Sequence, residues 1–447
     1  MKAGLSARVP LLLRETAFRR FWAGQTASLI GDQISLIAVP LAAVLVLGAG
    51  AAEMGWLKTA ELLPALLLNI PAGSWADRRP DRRRIMIATD LARAALLVSL
   101  PVAYALDALS LVQLYVVAFG VGALTVLFEV CHATLFVALL PAERFVQGNS
   151  LLNGSRSLSW LTGPSIGGLL VQTLTAPVAL LVDGLTYLAS AGCLARIRPE
   201  EPAPAPPGKG QFTEGMRWML KDRSMRAVTA AAGTVQFFNF MFHTLFVLYA
   251  TTELGLSPGV LGAVLGAGAV GGLLGAVCTT RVVGRFGIGP SIVVGFAGFT
   301  LPLLLIPMAQ GPRPLVVGML VAGEFLSCAG VMLTDIAASS LQLAMIPEAI
   351  RSRVLGACRT LNHGFRPLGA MTAGALGTAI GLRPTLWIAT AGAVLSVVWL
   401  LPSPVPRIRT LPGAPAHSPA GGATAADSPP AAPEPGTEVS PASDRRA

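Results

Sequence analysis

The chain has 447 residues, of which 53% are hydrophobic and 13% charged, and its formal net charge is +10. Soluble globular chains carry about 25% charged residues, so this composition, with a mean hydropathy of +0.65, excludes an ordinary soluble enzyme and indicates a polytopic membrane protein. The basic residues argue against a nucleic-acid partner, because they fall in short gaps between apolar runs, as they do where charge orients membrane helices.

Twelve apolar segments follow one another: 18–47, 54–76, 84–106, 111–139, 150–172, 176–196, 226–250, 258–281, 289–310, 314–345, 354–380 and 383–402. Crossing the bilayer core takes about 20 apolar residues as a helix, and each segment is close to that length or longer. Ala3–Leu13 is too short and interrupted for a cleavable signal, so Phe18 opens the first span. Lys2, Arg8, Arg14, Arg19, Arg20, Arg78–Arg84, Arg144, Arg281, Arg285, Arg351 and Arg353 fall on one side, against Arg313 and Arg383 on the other. Positive residues mark the cytoplasm, so both termini are expected there.

Residues 197–225 interrupt the apolar pattern with a proline-rich stretch and an amphipathic run, Phe212 to Leu220, suited to a membrane surface. This linker divides the chain into a six-helix half over 1–196 and another over 226–402. Residues 403–447, rich in Pro, Ala, Gly and Ser, are expected to be disordered. The halves repeat weakly. An offset of 203 residues carries Arg156 onto Arg359, Pro164 onto Pro367 and His132 onto Asp335. All five cysteines lie in or beside apolar segments without CxxC spacing, so neither disulfide nor metal is expected.

Between the second and third segments stands Gly73-Ser-Trp-Ala-Asp77-Arg78-Arg79-Pro80-Asp81-Arg82-Arg83. An ordinary basic loop accounts for the arginines but not for the Gly-x-x-x-Asp-Arg spacing. The stretch resembles the signature joining the second and third helices of major facilitator superfamily transporters; Gly73, Asp77, Arg78, Arg82 and Arg83 match, and Pro80 replaces a glycine. In the fifth segment, Ser159, Gly163, Pro164, Gly167 and Gly168 resemble the motif of that superfamily's exporters, with Ser159 replacing its first glycine. Small residues at this spacing let helices approach closely and proline bends a span. Phe21–Asp32, Asp90-Leu-Ala-Arg93 and Leu181-Val-Asp183-Gly-Leu-Thr-Tyr187 are similar to the drug-exporter branch that includes macrolide-efflux and siderophore-export proteins.

The resemblance covers residues 15–402 and implies an all-α bundle of twelve spans in two pseudo-symmetric halves. It implies a secondary transporter of the cytoplasmic membrane, exporting a small amphipathic drug or metabolite in exchange for protons. The partners are a small-molecule substrate, protons and lipid; the chain acts as a monomer, needs no cofactor and is not an enzyme. A lipid or nutrient facilitator of the same fold is the alternative within transport. A non-transporting receptor or intramembrane hydrolase is the alternative outside it.

Two matches are refused. Gly266-Ala-Gly268-Ala-Val-Gly271 fits the dinucleotide fingerprint, but it lies in a continuous apolar helix with no acidic residue before Glu324. Gly163-Pro-Ser165-Ile-Gly167 fits the serine-hydrolase elbow, but that motif needs a strained strand-to-helix turn.

A charged group at the bilayer centre costs about 2.5–3.5 kcal/mol on insertion scales, so it needs a partner, a watery cavity or a function. Asp32, in the middle of the first segment, is the leading proton-carrier expectation; the structural alternative is a carboxylate capped by hydroxyls or amides such as Gln33. Glu129 is second, with His132 three residues on along the same helix face. Arg156, Asn239, His243, Asp335, Arg359 and Arg366 are cavity candidates, while Glu324 and His363 also fall inside spans. Asp90 and Arg93, three residues apart, read as an architectural ion pair.

Overall fold

The computed structural model describes residues 11–76, 78–79, 81–198, 212–347 and 350–410. Asp77 and Pro80 of the loop signature, the proline-rich part of the linker and residues 411–447 of the tail lie outside the described residues. Regular structure among the described residues is helical: α1 (Thr16–Leu45), α2 (Ala51–Ala76), α3 (Arg82–Ala105), α4 (Leu111–Leu139), α5 (Phe145–Leu174) and α6 (Ala176–Ala195), then the short α7 (Phe212–Lys221). After it come α8 (Arg223–Thr252), α9 (Pro258–Phe286), α10 (Ile288–Thr300), α11 (Leu305–Met308), α12 (Arg313–Met345), α13 (Arg351–Ile380), α14 (Leu382–Val394) and α15 (Ser396–Leu400).

Nine helical segments among the described residues are long and apolar enough to cross a membrane, with α10–α11 and α14–α15 each counting as one. Helices α2, α5 and α13, of 26, 30 and 30 residues, have the length but more polar sequences. All three take part in contacts between α1–α6 and α8–α15. The break between α10 and α11 falls at Pro302, which lacks an N–H and turns the chain through one 3₁₀ turn before the helix resumes. Within the helices, hydroxyls donate back to carbonyls one turn earlier, as Thr59 does to Gly55 and Thr334 to Gly330. A hydroxyl hydrogen bonded in this way does not face lipid unpaired.

Helix α2 packs on α13 and α5 on α9. A Cβ on Gly55 would stand 2.8 Å from the Cα of Gly374, and one on Gly168 2.8 Å from that of Gly262. Such separations admit no side chain, so glycine lets the backbones touch. Ser165 Oγ donates to the Gly262 carbonyl at 3.3 Å and Gly259 N–H to Gln172 Oε1 at 2.9 Å. These tight contacts lie toward the end of the bundle opposite the arginine-rich loops. Both refused motifs resolve into this kind of packing. Ser165 bonds a neighbouring backbone, and Gly268 and Gly271 face Glu324 and Phe325 across the α9–α12 contact.

Two expectations change. The tail is ordered at its start: Val405 is buried, and Gly289 N–H donates to the Ile408 carbonyl at 2.8 Å. Composition averaged over 403–447 hides these two apolar anchors. The amphipathic run is a helix, as its periodicity predicts, but one face is packed on protein. Met219 is buried against Cys358 of α13.

The close approaches yield a stability test. Gly168→Leu is expected to destabilise the protein by about 1–3 kcal/mol, as overpacking does. Gly154→Leu on the same helix, where nothing lies within 4 Å, should leave the thermal midpoint in detergent at the wild-type value.

Candidate functional site

The site grows from the packing of α1 and α3 on α6. Gly31 has no side chain because the Asp183 and Thr186 side chains lie against its backbone. Asp183 is fully buried and accepts hydrogen bonds from Ser35 and, at 3.1 Å, from Thr186. One turn along α6, the buried Tyr187 donates its hydroxyl to Asp32 Oδ1 at 2.5 Å. Asp32 itself is exposed, although it stands near the middle of a 30-residue helix. The cap foreseen from Gln33 is thus supplied by Tyr187. Gln33 is buried and turned toward Gly163 of α5.

Behind Tyr187 sits Arg93. Its side chain is 2% exposed and pairs with Asp90, which is 0% exposed. The guanidinium lies 4.2 Å from the centroid of the Tyr187 ring and 4.5 Å from that of Phe128, and it donates to Thr125 Oγ1 at 3.4 Å. Burying a guanidinium costs several kcal/mol unless the surroundings replace its hydration. Here a carboxylate, a hydroxyl and two aromatic faces replace part of it, while Nε has no hydrogen-bond partner, and a desolvated cation–π contact contributes about 2 kcal/mol. The architectural reading of Asp90–Arg93 matches this geometry. Arg93 is also within electrostatic reach of Asp32.

The remaining charges fall into small groups. Glu129, Arg156, His243, Asp335 and Arg359 are exposed although each lies well inside a long helix. Glu129 is within electrostatic reach of both Arg156 and Arg359, so the two repeat-related arginines converge on one acid. Asp335 is within reach of Arg366, whose guanidinium lies 4.9 Å from the Phe240 ring centroid. His243, beside the Phe242 ring, is within reach of Lys58 of α2. His132 stacks on Phe21 and Phe128, with ring centroids 5.1 and 6.3 Å away. The buried Asn239 Oδ1 has no hydrogen-bond partner.

The exporter motif also has a place. Ser159 and Gly163 are buried, Gly163 and Gly167 receive α1 at Gln33 and Ile34, and Gly168 receives α9. The residues from Ser159 to Gly168, Pro164 among them, thereby seat α5 between the acid-bearing helix and the opposite half. In the loop signature, Arg83 binds the carbonyls of Leu194, Ala195 and Ile197 at 3.5, 3.1 and 2.5 Å. That caps the C-terminus of α6, where a cation is favoured. Arg82 is buried and Arg78 exposed, while Gly73 has nothing within 4 Å of a built Cβ. Proline cannot take a left-handed turn, and the left-handed residue here is Asp81, at φ 65°.

Sequence reasoning passed over three charges. Asp183 is visible inside the sixth apolar run, but in sequence it stands out only as part of a family motif. Lys58 and Glu61, paired at 2.9 Å, were hidden by the overall hydrophobicity of the second segment. The desolvation cost that singled out Asp32 applies equally to all three.

The sequence pattern described as Major Facilitator Superfamily matches residues 21–362 and 228–436. The chain is 27% identical over 419 residues to the multidrug efflux pump Tap of Mycolicibacterium fortuitum, covering 85% of this chain and 93% of that one. To Tap of Mycobacterium tuberculosis strain H37Rv it is 28% identical over 382 residues, 79% and 85% of the two chains. Its fold is similar to the crystal structure of a bacterial homologue of the iron transporter ferroportin in the inward-facing state. The TM-score there is 0.71 at 17% identity, with 88% of this chain and 99% of that chain covered.

Removing one member of the buried pair tests its weight. Arg93→Met leaves Asp90 unpaired in a dry interior and should cost about 3–5 kcal/mol. The double variant Asp90→Leu with Arg93→Met should recover most of that loss, measured by unfolding in detergent.

Proposed function

The chain belongs to the Major Facilitator Superfamily, and from that premise we propose that it exports small amphipathic compounds from the cytoplasm in exchange for protons. The carrying observation is Asp32, an exposed residue in the middle of α1 whose carboxyl is tied through Tyr187 to a buried ion pair. Four carboxyls, on Asp32, Asp90, Glu129 and Asp183, lie within electrostatic reach of the guanidinium of Arg93. The excess negative charge gives protons a reason to bind there. A group open to water in one conformation and enclosed in another binds its proton with different affinity in each, and that difference couples protonation to direction.

The likeness to the Tap efflux pumps supports export of drug-like molecules. The intramembrane charges support the same reading: Trp160, one helical turn from Arg156, and Phe240, under Arg366, offer apolar surface next to a few polar anchors, as permissive pockets do. Tight glycine contacts at one end leave the arginine-rich end as the mouth. The positive-inside pattern assigns that mouth to the cytoplasm, so the structure is read as inward-facing. Asp77, with Arg78 and Arg82 as neighbours, is proposed to hold the cytoplasmic side closed in the other state, while Arg83 braces α6.

In inverted membrane vesicles with an imposed proton gradient, Asp32→Asn is expected to abolish uphill substrate movement while downhill exchange persists. Undiminished uphill transport by that variant transfers the carrier role to Glu129. Asp77→Asn keeps side-chain volume, so the protein should reach the membrane at wild-type levels and transport less. Full transport there would leave the loop as a topology signal only.

A further inference from the structure

A cavity of about 400 Å³ lies on the flank of the second half, walled by α7, α8, α13 and α15. Its lining is aromatic and aliphatic, with Phe237, Phe238, Phe365 and Trp399 among its residues and Arg226 as the charged one. It is distinct from the charged groups already described, none of which lines it. Leu220 and Trp399, 52% and 53% exposed, form part of its rim, so it opens sideways, toward the surroundings of the bundle. Those surroundings are lipid for a chain of this class.

The cavity's dimensions select an occupant. From Arg226 to Phe238 is twelve helical residues, roughly 18 Å at the rise of an α-helix. The path runs from the arginine-rich end of α8 to its middle, about half the thickness of the bilayer core. That is the span of one leaflet, traversed by one acyl chain. Trp399 spends its indole N–H on Thr234 Oγ1 at 3.1 Å, which leaves the ring as apolar wall.

The charge at the outer end selects the headgroup. Arg226 donates to the Leu220 carbonyl at 3.4 Å, using one of five N–H donors. Arg217, Lys221 and Arg223 are also exposed in this short stretch. The acid among them, Asp222, is engaged as the N-cap of α8, accepting from Met225 N–H at 2.8 Å. Four cations in ten residues at a membrane interface favour an anionic headgroup.

We propose that this groove binds one acyl chain of an anionic phospholipid from the leaflet at the arginine-rich end, with Arg226 on the lipid phosphate. The bound lipid joins α7 of the linker to α8, α13 and α15. The inference is independent of proton coupling and of the exported compound.

The test uses the full chain purified in detergent and titrated with phosphatidylglycerol or phosphatidylcholine while its melting is followed. Phosphatidylglycerol is expected to raise the Tm more than phosphatidylcholine, and Arg226→Gln should erase that difference. Ala230→Trp, which fills the groove, should erase the response to both lipids while melting like wild type without them. A phosphatidylglycerol with a photoreactive diazirine in its tail places the chain in the wild-type protein whatever the fate of that variant. Label is expected on peptides carrying Phe237, Phe238 and Trp399. Equal stabilisation by the two lipids, an unaltered response in Arg226→Gln, or label confined to helices outside the groove would each overturn the proposal.

Discussion

A guanidinium buried in a membrane bundle must find its hydration among protein groups, and the groups gathered around Arg93 organise the first half of this protein. Asp90 supplies the opposite charge, Thr125 a hydroxyl, and Phe128 and Tyr187 two ring faces. These residues come from α3, α4 and α6. Tyr187 then extends the arrangement to α1 by its hydrogen bond to Asp32. Arg93 thus acts as the fixed point of a four-helix cluster, and the accessible acid is positioned by groups that are themselves inaccessible. The proposed coupling depends on that contrast between a dry anchor and a wet carboxyl.

A second constraint is the absence of a hydrophobic drive for helix association within lipid. Packing must come from close backbone approach, and this chain achieves it with glycine at α2–α13 and α5–α9. Both contacts lie at the same end of the bundle, so the structure is tight there. Rocking of two halves about such contacts is the kind of motion alternating access requires. The two repeat-related arginines facing Glu129 are where such a motion would alter electrostatic distances most directly.

Much of this was legible along the chain. Apolar runs of adequate length marked the helices because a bilayer imposes a length and a polarity that few other environments do. The Asp90–Arg93 spacing announced an ion pair, since residues three apart on a helix face each other. Asp32 was legible as costly, but its partner was not. Gln33 is adjacent in sequence yet points to α5, whereas Tyr187 is 155 residues away. The loop signature was legible as a motif, but the capping of α6 by Arg83 was not, because nothing in the order of residues brings α3 beside the end of α6.

The amino-acid sequence by itself determined which segments become helices, where small residues permit close contact and which charges need an explanation. These are consequences of local composition and of helical periodicity, which operate within one segment. Only the tertiary structure decided which charge meets which: that Asp183 is sealed while Asp32 is open, and that Arg93 lies between two aromatic rings. It also decided that Lys58 comes within electrostatic reach of His243 and that α7 closes one side of an apolar groove. Those pairings depend on how helices rotate and cross once packed. A rotation of one helix by a single residue, about 100°, would exchange a buried face for an accessible one without altering any local preference.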